Sequence, residues 1–174
     1  QPDHGGFRYG GAVPKDEGDM SVTGWQIMAI ASAQHAGLKV PPAAIERFHR
    51  FLGKTARKYG TSAYLAGQES AGSLAITAVG LLSRIFLDGR RYDEEILTSA
   101  KYLLSVEAPG LKAVSGGVSK ELVRDLYYTY YSALAMYQAG DEFWRLWRAA
   151  CLEPLVAGQE RQERDARGRF VRGS

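Results

Sequence analysis

The chain has 174 residues, of which 45% are hydrophobic and 24% are charged, and its formal net charge is +3. A chain of this size and balance can bury a hydrophobic core as one domain, so wholesale disorder is excluded. Five arginines lie between Arg161 and Arg172, so most of the apparent basicity belongs to the C-terminal tail. The positive excess is too small to indicate a nucleic-acid partner.

Hydrophobic spacing and capping residues predict six helices and no strand. The first helix is predicted over roughly 20–36, after Asp19, whose carboxylate can accept hydrogen bonds from amides of the first turn. The later helices are predicted to begin near Pro42, Ser73, Asp93, Leu126 and Asp141. Helices that are apolar or aromatic all round alternate with helices that carry one apolar stripe. This alternation predicts inner helices covered by outer ones, with the third helix buried on nearly all sides.

The helices also recur at a regular interval. Thr23, Thr77 and Thr129 lie at like positions of the inner helices, 54 and 52 residues apart. Because one unit cannot bury its inner helix alone, a repeat of this length predicts a curved array of helical hairpins. We therefore predict an all-α fold, an α/α toroid or partial toroid of three inner–outer hairpins. The hairpins cover about 20–57, 73–105 and 126–158, and a polar tail covers 159–174.

Cys151, the single cysteine, excludes an internal disulfide, and its apolar helical surroundings predict a buried, inert thiol. No apolar run approaches the ~18 residues of a membrane-spanning helix, so no transmembrane segment is predicted. The N-terminus has neither the basic start nor the apolar core of a signal peptide. Because the chain begins with glutamine, we expect it to be processed or excised from a longer one, and its localisation stays open.

Resemblance to a known family rests on three segments: GDMSVTGWQIMAIASAQHAGLKVP, TAVGLLSRIF and YYTYYSALAMYQAGDEFWRLW. They are similar to repeats of the prenyltransferase and squalene-cyclase family, which forms α/α toroids. The opening GGFRYGG and the closing GQERQERDARGRFVRGS resemble the glycine-and-aromatic ends of those repeats. A full ring in that family has more hairpins than the three predicted here. The resemblance therefore implies a homo-oligomer, or adjoining hairpins of a longer chain, that completes the ring.

The resemblance also shows where catalytic residues would lie. Class II terpene cyclases of this family protonate an alkene with the central acid of a D-x-D-D-T motif. The matching residues here are Asp16, Glu17, Gly18, Asp19 and Met20, so glycine stands at the position of the central acid. Asp16, Glu17 and Asp19 are therefore weak catalytic candidates, and Asp19 is better explained as a helix cap.

The resemblance also implies a second possible activity, which depends on zinc. Protein prenyltransferases of this fold hold zinc with Asp, Cys and His ligands. This chain offers Cys151 with His4, His35 and His49, and none of them stands in a metal-ligand spacing. We predict no metal and no cofactor.

Aromatic residues concentrate in the fifth helix and suit the lining of an apolar groove, because aromatic faces accommodate isoprenoid chains and stabilise cations. The candidate ligand-binding residues are Trp25, Tyr127, Tyr128, Tyr130 and Tyr131, with Phe7 and Tyr9 as neighbours. The alternative, which we favour, is that these rings fill the space between inner and outer helices. Trp144 and Trp147 are predicted to pack the last outer helix against its neighbour.

Two functions stay open. The favoured one is a binding or scaffolding module for an apolar, isoprenoid-like ligand or a protein partner, without the catalytic groups of the family. The alternative is a class II terpene cyclase or isoprenoid transferase whose catalytic acid or second half lies outside this chain. Gly18 is the sequence feature that separates them.

Overall fold

The structure, a computed structural model, describes residues 5–10, 18–89, 93–107, 125–157, 159, 162–164 and 170–172. Six α-helices account for most of these residues. They are α1 (Met20–His35), α2 (Pro42–Thr55), α3 (Leu74–Asp88), α4 (Glu94–Glu107), α5 (Leu126–Ala139) and α6 (Asp141–Ala157). The described part is therefore helical, as predicted, and each helix starts within one residue of its predicted start.

The helix α3 is the centre of the fold. Every residue from Ala75 to Ile85 is buried, which confirms the prediction that this helix is covered on nearly all sides. It contacts α1 and α5 as well as α2 and α4, whereas α6 packs against α5 and α4. Since α1 and α5 each carry exposed aromatic residues, they are less completely covered than α3.

The helices α1, α3 and α5 begin in the same way. Each has a capping side chain that accepts a hydrogen bond from the backbone amide three residues later, at 2.8, 3.3 and 2.8 Å respectively. The capping residues are Asp19, Ser73 and Asp125. Four residues after each cap stands a buried threonine: Thr23, Thr77 and Thr129. The interval seen in the sequence thus corresponds to a repeated helix start.

Two of these threonines hold a preceding loop in the same manner. The backbone N–H of Phe7 donates to Thr23 Oγ1 at 2.9 Å, and that of Ser62 donates to Thr77 Oγ1 at 3.3 Å. The carbonyl oxygens of Phe7 and Ser62 each accept, at 2.8 Å, a backbone amide from just before the adjoining helix. The segment that precedes Thr129, residues 108–124, lies outside the described residues.

The connection between α2 and α3 is fixed by one arginine. It contains a short 3-10 turn, η1 (Lys58–Gly60). The guanidinium of Arg57 donates to backbone carbonyl oxygens on both sides of this connection, those of Lys54, Ala56, Gln68 and Glu69. Because all four acceptors are carbonyls, Arg57 ties the end of α2 to the loop before α3 without a carboxylate partner.

The last helix is held by buried residues of its inner side. Trp147 and Cys151 are buried in the core, and the ring of Trp144 meets Tyr137 of α5 edge-on at 5.6 Å. The two tryptophans thus attach α6 to its neighbour, as predicted. Burial raises the pKa of the Cys151 thiol to about 12, so the thiol stays protonated and inert at neutral pH.

The tail differs from its prediction. The strands β1 (Gln162–Arg164) and β2 (Phe170–Arg172) pair antiparallel, with Glu163 opposite Val171. The sequence analysis predicted no strand here, because segments of three residues are too short to show the alternation by which strands are recognised. Over the described ranges, no helix combines the length and hydropathy needed to cross a lipid bilayer.

Candidate functional site

Aromatic side chains of α1 and α5 meet near the N-terminal ends of these helices. The ring of Trp25 lies 6.5 Å from that of Tyr130, nearly parallel, and 5.9 Å from that of Tyr131, nearly perpendicular. Tyr131 also contacts Tyr127 at 4.7 Å and Tyr130 at 5.2 Å, measured between ring centroids. We term these four residues the aromatic patch. Four of the five predicted ligand-binding residues therefore come together, from helices far apart in the chain.

The aromatic patch has an accessible rim and a buried centre. Trp25, Tyr127 and Tyr130 are 48%, 39% and 47% exposed, whereas Tyr131 is completely buried. The interpretation that these rings only fill space between helices, here termed the packing interpretation, therefore fits Tyr131 but not the other three rings. Clustered, half-exposed aromatic side chains are typical of a surface that contacts a ligand or a partner.

Two loop tyrosines lie beside the patch. Tyr9 and Tyr64 are close enough to Tyr127 to influence its ionisation, and both are exposed to solvent. The backbone brings them there, because Asp19 pairs with the segments of both tyrosines through single β-bridges. Tyr9 was predicted as a neighbour of the site. Tyr64 was missed, since it stands in a loop without helical periodicity.

One predicted neighbour, Phe7, and one predicted ligand-binding residue, Tyr128, belong to the core instead. Phe7 is partly buried and stacks on Phe48 of α2, with ring centroids 6.0 Å apart. Tyr128 is buried among the core residues of α5. Both follow the packing interpretation, because a helix buries one side of its surface and Tyr128 does not share a side with Tyr127 and Tyr130.

Of the three candidate catalytic acids, only Asp19 lies within the described residues. Asp16 and Glu17 lie outside the described residues. Asp19 is buried, and its Oδ1 accepts hydrogen bonds from the Val22 amide at 2.8 Å and the Ser21 hydroxyl at 2.7 Å. Both contacts use the carboxylate as an acceptor, which confirms its predicted role as the cap of α1.

Two hydroxyl groups of the patch, those of Tyr127 and Tyr131, have raised pKa values. Burial, with smaller effects from Tyr127 and Tyr130, raises the pKa of Tyr131 well above its ordinary value, and burial likewise raises the pKa of Tyr127. The buried Tyr131 hydroxyl has no hydrogen-bond partner among the described residues. The Tyr127 hydroxyl is close enough to act on the ionisation of Tyr131 both electrostatically and as a marginal hydrogen-bonding group, although the contact does not meet the full distance and angle requirements of a hydrogen bond.

Tyr131→Phe is therefore expected to leave the free energy of unfolding unchanged or to raise it by up to about 1 kcal/mol, because it removes a buried polar group that makes no hydrogen bond. Urea denaturation measures this. The matched control is Thr23→Val, which removes a buried hydroxyl that accepts from the Phe7 amide and should cost about 1–2 kcal/mol. A loss above about 1 kcal/mol in Tyr131→Phe would show that its hydroxyl has a partner in solution.

His35, His49 and Cys151, which lie within the described residues, do not form a cluster. Nδ1 of His35 lies 2.8 Å from the Ala31 carbonyl oxygen, and Nε2 of His49 lies 3.4 Å from a carboxylate oxygen of Asp88. His4 lies outside the described residues. Within the described ranges, no group of three or more His, Cys, Asp or Glu side chains is placed to hold a metal ion.

Comparison of the chain with protein-family models, with curated proteins and with solved structures gave no significant match.

Proposed function

We propose that the chain is a non-catalytic binding module of helical-hairpin repeats whose aromatic patch takes an apolar, isoprenoid-like ligand. The observation that carries the proposal is the cluster of three half-exposed rings around the buried ring of Tyr131. Aromatic faces bury apolar chains at a gain of roughly 25 cal/mol for each Å² of apolar surface. The isoprenoid class comes from the resemblance of three segments to prenyltransferase and squalene-cyclase repeats.

The proposed architecture is a partial α/α toroid. Support comes from the repeated cap and threonine of α1, α3 and α5, and from the contacts that α3 makes with both α1 and α5. In such an arc the inner helices line the concave side, so the aromatic patch would face the interior of the ring. A ligand held there is shielded from water on several sides.

The backbone at Gly18 favours binding over cyclase chemistry. Gly18 stands where the cyclase motif has its central acid, and its φ of 64° is a conformation that other residues rarely adopt. A Cβ at this position would also lie 2.6 Å from Gly6 Cα. An acid side chain at this position would therefore require the backbone to move.

Titration with farnesol, a neutral isoprenoid alcohol, tests the proposal. Isothermal calorimetry should show saturable binding at farnesol concentrations below those at which it aggregates. Trp25→Ala and Tyr130→Ala should each weaken binding about twofold to twelvefold, since one aromatic contact is worth about 0.5–1.5 kcal/mol. The matched control is Tyr137→Ala, which removes an exposed tyrosine of the same helix that packs on Trp144 instead.

Two results would contradict this function. Farnesol binding that never saturates would show non-specific adsorption. Equal weakening in Tyr137→Ala, Trp25→Ala and Tyr130→Ala would show that the patch has no special role.

We also propose that a second copy or an adjoining hairpin covers part of the last hairpin. Large apolar side chains of α5 and α6 are exposed: Leu126, Tyr137, Leu152 and Val156. Exposed apolar groups of this kind commonly mark contact surfaces. Native mass spectrometry distinguishes the two cases, since a second copy gives a species of twice 19.1 kDa, whereas a chain that needs adjoining hairpins stays monomeric.

A further inference from the structure

A small polar cleft lies between η1, α3 and α4 and shares no residue with the aromatic patch. Its volume is about 240 Å³, and its polar lining includes Arg57, Thr61, Arg84, Glu94, Glu95 and Thr98. Pockets for drug-sized ligands usually measure about 300–1,000 Å³. An occupant of this cleft must therefore be small, and the four charged side chains of the lining favour one that carries complementary charges.

Arg84 supplies a buried positive charge that is only partly paired. The residue is 7% exposed, and its guanidinium donates to the Leu52 carbonyl oxygen at 3.2 Å and, more weakly, to the Ser62 hydroxyl at 3.5 Å. A guanidinium has five N–H donors, so the contacts with described residues leave donors to spare. Burial lowers the pKa of Arg84, against the opposing effects of Glu95 and Asp88. A further anionic partner would therefore be favourable.

Two acidic residues of the first turn of α4, Glu94 and Glu95, line the cleft together with this cation. Glu95 Oε2 lies 3.6 Å from Arg84 Nε, beyond hydrogen-bond distance, and the Glu95 side chain is 78% exposed. Because Glu95 is largely exposed and lies beyond hydrogen-bond distance of Arg84, its carboxylate is free to pair with a second cationic group as well. Glu94 also lines the cleft and makes no ion pair with a described residue.

The charges of the lining determine the chemistry of the occupant. Arg57 adds a positive charge but has its donors engaged by backbone carbonyls. A simple anion that approached Arg84 would meet the two carboxylates, and a simple cation that approached the carboxylates would meet two guanidinium groups. A small molecule that carries both charges a few ångströms apart satisfies both sides.

We propose that this cleft binds a free α-amino acid, whose carboxylate pairs with Arg84 and whose ammonium group pairs with Glu94 and Glu95. The planar fork of arginine suits a carboxylate, and the ammonium group has three donors for the acids and for the hydroxyl of Thr98. The proposal is independent of ligand binding at the aromatic patch, because the two sites have no residue in common.

Three related probes test the requirement for both charges. L-Alanine carries both groups, N-acetyl-L-alanine lacks the ammonium group, and L-alaninamide lacks the carboxylate. Titration at neutral pH should shift the ¹H–¹⁵N resonances of Gly60, Thr61 and Thr98 with L-alanine, at a Kd on the order of 1 mM or tighter. The two derivatives should bind at least tenfold more weakly.

The variant that carries the test is Glu94→Gln, because Glu94 is exposed and its replacement does not disturb the core. It should weaken L-alanine binding about threefold to tenfold, while the melting temperature falls by no more than the few degrees expected for loss of an acid from a helix N-terminus. The matched control is Glu142→Gln, which removes an acid from the first turn of α6, where it does not line the cleft.

Each contrary result would overturn the proposal in a distinct way. Binding of N-acetyl-L-alanine as tight as that of L-alanine would reduce the cleft to an anion site. Equal binding of L-alaninamide would reduce it to a cation site. No saturable shift of the cleft resonances with L-alanine, or equal weakening in Glu94→Gln and Glu142→Gln, would remove the site altogether.

Discussion

Trp147→Ala is expected to lower the free energy of unfolding by about 3–5 kcal/mol, because it empties the space of the largest fully buried side chain described. Trp147 packs α6 against the rest of the core, so its loss leaves a cavity between α6 and its neighbours α5 and α4. Chemical denaturation followed by far-ultraviolet circular dichroism measures the change.

Two further variants show whether the loss of stability in Trp147→Ala comes from the cavity or from the lost indole N–H. Trp147 Nε1 has no hydrogen-bond partner among the described residues, so Trp147→Phe should cost less than about 2 kcal/mol although it removes the indole N–H. Trp144→Ala removes a partly exposed tryptophan from the same helix and should cost about 1–2 kcal/mol. If Trp147→Phe proved as costly as Trp147→Ala, a hidden hydrogen bond rather than cavity formation would be the cause.

Gly60→Ala is the second change with a large expected effect. It should lower the free energy of unfolding by about 3 kcal/mol. The φ of Gly60 is 72°, a conformation that costs alanine about 1 kcal/mol. Its Cβ would also lie 2.6 Å from the backbone nitrogen and 2.8 Å from the Cα of Ser99. Because backbone atoms of α4 cannot turn aside as a flexible side chain does, η1 would have to move away. The hydrogen bond from the Ser99 hydroxyl to the Gly60 carbonyl oxygen, 2.7 Å long, would then break.

Gly89→Ala is the matched control for the conformational part of this effect. Gly89 has a similar φ of 63° at the end of α3, but a Cβ there would meet no atom of the described residues within 4 Å. Gly89→Ala should therefore lower the free energy of unfolding by only about 1 kcal/mol, which comes from the positive φ alone. Differential scanning calorimetry should show a fall in melting temperature of about 6–12 °C for Gly60→Ala and about 2–4 °C for Gly89→Ala. Equal falls for the two variants would mean that the contact between η1 and α4 is not tight in solution.

The helices were predictable because their signals are local. Asp19 and Pro42 mark helix starts by their own chemistry, and the apolar run between Leu74 and Phe86 identifies a buried helix because it is longer than a typical strand. The strands of the tail were not predictable, because three residues on each side give too little pattern. Pairing of such short segments depends on contacts that no local rule describes.

The aromatic patch was predictable in composition but not in arrangement. A run of tyrosines in one helix shows that aromatic surface exists, whereas the exposure of Tyr130 and the burial of Tyr131 depend on where α1 and α3 lie. The polar cleft was not predicted at all. Arg84 stands inside an apolar helix, and its partners Leu52, Ser62 and Glu95 come from three other parts of the chain.

The pairing of the N-terminal segment has a consequence for the order in which the protein folds during synthesis. The start of α1 is completed by a hydrogen bond from the Met20 amide to the Tyr64 carbonyl oxygen, and Phe7 finds its aromatic partner Phe48 only in α2. When α1 emerges from the ribosome, these later residues are still enclosed in it or not yet added to the chain. The N-terminal segment must therefore wait for α2 and for the loop that follows it, and a chain interrupted before residue 64 would present Phe7 and the first turn of α1 to chaperones in an unfinished state.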